Sequence, residues 1–79
     1  MTLTQFNLLD ELEQAETIWE YGEFLQTRLE GEYRHILYQV DGFYVELHYH
    51  LLLNTITGAR VFANPDHLEP YLEAMSISL

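Results

Sequence analysis

Hydrophobic and polar positions alternate most regularly between Tyr33 and His50, where two runs rich in β-branched and aromatic residues meet at Asp41-Gly42. That dipeptide between alternating runs is the strongest short-range signal for a two-residue hairpin turn, and the turn fixes a register. With Val40 opposite Phe43, Tyr38 pairs with Val45, Ile36 with Leu47 and Arg34 with Tyr49. Ile36, Tyr38, Val40, Phe43, Val45, Leu47 and Tyr49 then form one apolar face, read here as the core face. The opposite face gathers Tyr33, His35, Leu37, Gln39, Tyr44, Glu46, His48 and His50. A slip of one residue would push Glu46 and His48 unpaired into the core at a cost of several kcal/mol, so Val45 is expected inside and Glu46 outside.

Elsewhere the pattern changes period. Leu8, Leu9, Leu12, Ala15 and Trp19 recur at helical spacing with acids between them, which predicts one short amphipathic helix capped by Thr4 or Asn7. From Trp19 to Leu29 both periods fit. The strand is favoured, with Trp19, Tyr21, Leu25 and Leu29 on one face and a turn at Glu30-Gly31, because Gly22 weakens a helix interior by about 1 kcal/mol. A fourth strand is predicted over Ile56 to Ala63, joined to the third across Leu52 to Thr55. Asn64-Pro65-Asp66 ends it, and Asp66 with Glu69 has capping-box spacing for a helix whose Leu68, Tyr71, Leu72 and Met75 share a face. Pro70 sets the start of regular helix near Glu69 or kinks it there. The expected fold class is α+β in a single domain, residues 1–79: an N-terminal helix, a four-stranded antiparallel meander and a C-terminal helix, both helices covering the apolar face.

Composition narrows the function. A chain of 79 residues buries only about 60 to 65% of its unfolded surface, so stability is marginal and self-association would add to it. No cysteine is present, which excludes disulfide and thiolate-metal frameworks. Nothing at the N-terminus reads as a signal peptide and no stretch approaches a membrane span, so a cytoplasmic protein is the expectation. Thirteen acids face three arginines, Arg28, Arg34 and Arg60, with no lysine, for a net charge of −10. Three scattered arginines cannot supply the contacts a phosphate backbone needs, which argues against direct nucleic-acid or anionic-membrane binding. The negative field favours solubility and a partner with a basic surface.

The strings LYQVDGFYVELHYH and LEPYLE, with IWEYGEFL and the final SISL, resemble a group of short bacterial proteins of the Bacteroidetes type that share YQ, FYVE and LEPYLE in this order. The resemblance spans most of the chain from Trp19 onward. It implies a compact stand-alone domain and a strand over Trp19 to Leu29, and it brings no catalytic residue, ligand or function. Leu51-Leu52-Leu53 departs from it, since polar turn residues are more usual there.

His35, Glu46, His48 and His50 are the candidate chemistry. An H-x-H pair on a strand with a third histidine opposite offers the imidazoles that zinc, nickel or copper accept. The preferred reading is a polar, solvated or dimer-contacting sheet face without a metal or other cofactor, and so no stabilisation by stoichiometric Zn²⁺. His67 is expected in solvent. No nucleophile accompanies Glu46 and no glycine-rich phosphate loop is present, which argues against an enzyme. Tyr33 and Tyr44 on the second face, and Leu51, Leu52 and Leu53 at the third turn, are the expected contact residues. The expected function is a non-enzymatic protein–protein interaction module, either a homodimer or the acidic partner of a larger protein. The alternative is a transition-metal-binding protein or small enzyme using the histidine cluster.

Overall fold

The structure, a computed structural model, describes residues 1–76, with side chains through Leu72. Two N-terminal helices, α1 (Leu3–Asn7) and α2 (Glu11–Tyr21), lead into strands β1 (Glu23–Glu30), β2 (Tyr33–Val40), β3 (Phe43–His50) and β4 (Thr55–Phe62). A 3-10 turn (Pro65–Leu68) and helix α3 (Glu69–Ser76) follow. The sheet is an antiparallel meander in the order β1-β2-β3-β4, which makes the fold α+β.

The central hairpin has the register its turn dictates: Val40 pairs with Phe43, Tyr38 with Val45, Ile36 with Leu47 and His35 with His48. Asp41 supplies the left-handed backbone at the tip, with φ 50°. The β1–β2 connection turns at Gly31, whose φ of 60° suits a residue without a Cβ. Val40, Phe43 and Val45 are buried on the first face against Phe6 and Ile18, and the Phe6 and Phe43 rings lie 5.4 Å apart.

The N-terminal region differs from the single helix expected. Thr2 with Gln5 and Asp10 with Glu13 each form a complete capping box, so two helices start where one was predicted, and neither Thr4 nor Asn7 is a cap. Helix α2 also runs through Trp19 to Tyr21, and the strand begins only at Glu23. Gly22 is the joint. Its N–H donates to the Ile18 carbonyl at 2.8 Å, and a Cβ there would sit 2.4 Å from that oxygen. Inward-facing positions are Phe6, Thr17 and Ile18, whereas Leu8, Leu12 and Trp19 are exposed.

The second difference concerns the helices. Among the described residues, α1 and α2 alone cover the first face; Tyr71 of α3 packs with Leu37 and Phe62 on the second, with Tyr44 and Leu68 beside them. Leu37 is the apolar residue that draws α3 across, and Glu46 is buried under it rather than solvated. The expected Asp66–Glu69 capping box does not form; Asn64 instead accepts from the Asp66 N–H, and Pro70 falls in the first turn of α3. Leu72 is exposed. The expected inward position of Met75 and the end of the SISL string lie outside the described residues. Among the described residues no helix is long and apolar enough to cross a membrane.

Candidate functional site

Two surfaces stand out, one on each sheet face. On the second face the pairing sets Arg28, His35, His48 and Gly58 in one cross-strand row, with Gln26, Leu37, Glu46 and Arg60 in the next. Glu46 is the centre, only 2% exposed. The Tyr71 hydroxyl donates to its Oε2 at 2.7 Å, and His48 Nε2 lies 2.8 Å from its Oε1. An ionised carboxylate only accepts, so the proton of this second bond sits on His48 Nε2. His35 Nδ1 lies 3.4 Å from Oε1, Arg60 Nε 3.7 Å from Oε1 and Arg28 3.9 Å from Oε2. Burial alone would push the Glu46 carboxyl up, but the hydrogen bonds from Tyr71 and His48, with Arg60 and His35 beside it, hold it down at about 2. Burial and the bond to Glu46 together raise the Tyr71 phenol.

Of the histidines read from sequence, His35 and His48 thus converge on Glu46. His50 does not. Its Nδ1 accepts from the Leu53 N–H at 3.1 Å and its Nε2 faces Glu32 at 3.3 Å, so it braces the β3–β4 turn. His67 is exposed, beside the Phe62 ring. Tyr71, Arg28 and Arg60 belong to the cluster but were not read from sequence. The available signal was Leu37 opposite Glu46, an apolar residue on a face otherwise polar.

The first face holds the larger feature. Helices α1 and α2 cover its Val40–Phe43 end, and the strands run on beyond them. Between α2 and the remaining sheet lies a groove of about 780 Å³. Gln14, Ala15, Ile18 and Trp19 form its helical wall; Phe24, Ile36, Tyr38, Leu47 and Ile56 are among the residues of its floor. Trp19 is 87% exposed, and Phe24 and Ile56 are exposed as well. Contiguous exposed apolar surface of this kind marks a contact site more often than scattered residues do. The surround is acidic: Glu11 lines the groove, and Glu13, Glu16 and Glu20 share its helix. Arg28 and Arg60 are turned to the opposite face, beside Glu46.

Of the contact residues expected from sequence, Leu51, Leu52, Leu53 and Tyr33 are exposed, whereas Tyr44 is half-buried with its ring stacked on Phe62. Trp19, Phe24 and Ile56 were not read as contact residues. Comparison of the chain with protein-family models, curated proteins and solved structures finds no match.

Proposed function

We propose that this protein is a non-enzymatic, cytoplasmic protein–protein interaction module whose first-face groove takes an apolar segment with basic flanks from a partner protein. The observation that carries the reading is the groove itself, with Trp19 87% exposed above a floor of aromatic and aliphatic side chains. Tryptophan and tyrosine in such a setting are the usual anchors of binding energy. Charge supports the choice of partner: a net −10 and a row of glutamates on the groove helix attract cations at long range and oppose a second copy of the same acidic rim. The chain has no cysteine and needs no oxidising compartment. A catalytic reading of Glu46 fares poorly, since a general base works best with a pKa near the operating pH and this one is held at about 2.

The test uses an amphipathic helical peptide of leucine and lysine, with a leucine–glutamate peptide of the same length as control. Seating of the lysine peptide in the groove should shift Trp19 emission to the blue, weaken with salt and fail in Ile56→Asp. An equal response to the glutamate peptide, or none to either, would overturn the proposal. A second reading, self-association, is favoured by Leu51, Leu52 and Leu53, three consecutive exposed leucines at the β3–β4 turn.

A further inference from the structure

We infer that His35, Glu46 and His48 form a binding site for a divalent transition-metal ion of the zinc class, independent of the first-face groove. One ligand atom from each of the three lies within 4.8 Å of the other two. Glu46 Oε1 stands 2.8 Å from His48 Nε2 and 3.4 Å from His35 Nδ1. Atoms sharing a tetrahedral ion at ordinary zinc–ligand lengths are separated by about 3.3 Å, so small side-chain rotations suffice to bring these three around one ion.

Three further features point to a ligand. First, among the described residues His35 Nδ1 is buried with no hydrogen-bond partner, its 3.4 Å approach to Glu46 Oε1 not amounting to one, and an orphaned polar atom of that kind is rare unless something satisfies it. Second, the other carboxylate oxygen is already held from behind: Tyr71 donates to Oε2, which aims Oε1 at the imidazoles as outer-sphere partners do in metal sites. Third, Gly58 ends the Arg28–His35–His48 row without a side chain. This leaves a hollow of about 290 Å³ beside the two rings, with Glu30, Tyr33 and Thr57 on its walls, which has room for the water that would complete the coordination of a bound ion.

The two arginines decide how tightly such an ion is held. Arg28 is paired to Glu30, which itself lies 3.7 Å from His35 Nε2, so its charge is balanced locally. Arg60 is the competitor. It lies 3.7 Å from Oε1 with its side chain 45% exposed and its guanidinium 4.9 Å over the Phe62 ring, a contact that can hold it once a cation takes its place beside Glu46. On binding, His48 presents its Nε2 lone pair and its ring proton moves to Nδ1, which faces the space left by Gly58. Two imidazoles and one carboxylate suit zinc, cobalt or nickel and not the all-oxygen preference of calcium or magnesium.

The test takes metal-free full-length protein and adds Zn²⁺, Co²⁺ or Ca²⁺ in excess. Against the expectation from sequence of a metal-free face without Zn²⁺ stabilisation, Zn²⁺ and Co²⁺ should raise the melting temperature by several degrees and Ca²⁺ should not. Nitrogen NMR should show the shift at His35 Nδ1 and His48 Nε2. His35→Ala and His48→Ala, each checked for retained fold by circular dichroism, should weaken binding at least tenfold, and Arg60→Gln should tighten it. No rise with either transition ion, an undiminished rise in both histidine variants, or ring shifts confined to His50 and His67 would overturn the inference.

Discussion

Removing one oxygen tests the buried cluster directly. In Tyr71→Phe the ring that packs on Leu37 and Phe62 stays, but the hydroxyl that donates to Glu46 Oε2 at 2.7 Å is lost. A hydrogen bond to a charged acceptor is worth about 1.5–3 kcal/mol, and the loss approaches the upper figure when the acceptor remains buried. Arg28 is the nearest replacement donor, yet it lies 3.9 Å away and is engaged by Glu30. A cost of about 2–3 kcal/mol is therefore expected, which in a domain of this size lowers the melting temperature by roughly 8–24 °C. It is a large share of the about 4–12 kcal/mol typical for a chain this long. The assay is thermal and urea unfolding by circular dichroism, with Glu46→Gln and the double variant completing a cycle. A loss below about 0.5 kcal/mol, or strictly additive single losses, would show that Tyr71 does not anchor α3 through Glu46.

Other expectations follow from the same packing. Phe6→Ala, which empties the centre of the first-face core, should cost about 3–5 kcal/mol and leave the protein at the edge of unfolding by urea titration. In metal-free buffer Glu46 should make the fold acid-sensitive. Its carboxyl is lower folded, about 2, than its ordinary value of 4.5, so the stabilisation it contributes is complete above the ordinary value and fades as pH falls from there toward 2. Glu46→Gln should flatten that part of the pH–stability curve. Light scattering should detect self-association that tightens as salt screens the net charge and weakens in Leu52→Asp without loss of fold; a monomer at every salt concentration would remove the Leu51–Leu53 turn as a contact.

The meander was legible because its signals are local. Asp41-Gly42 fixes the register of two strands at once, and strict alternation assigns every side chain between Ile36 and Leu47 to a face. Which helix covers which face is decided by contacts distant in sequence, and there the pattern misled. Glu46 read as solvated because nothing near it in the chain reveals that Tyr71, 25 residues on, reaches its oxygen. Arg60 joins the cluster through the β3–β4 pairing, whose register the turn sequence left open and which an irregularity between His48 and Tyr49 shifts. At the other end, Trp19 fitted a strand face because its neighbours are aromatic. The Asp10–Glu13 capping box that starts its helix is a short-range signal that the apolar spacing masked, and Gly22, read as a helix breaker, is the residue that ends this helix. All three candidate ligands, His35, Glu46 and His48, came from the hairpin register; the burial that gives them meaning came from α3.

The groove is tested most directly by residue-by-residue NMR of the labelled chain during titration with the leucine–lysine peptide. Binding there should move the signals of Ile18, Trp19, Phe24, Ile36, Leu47 and Ile56 together, along one saturating curve, and leave those around His35, His48 and Tyr71 in place. Shifts spread over the glutamates of α2 alone, or centred on the second face, would contradict the assignment of the first-face groove as the surface this protein uses.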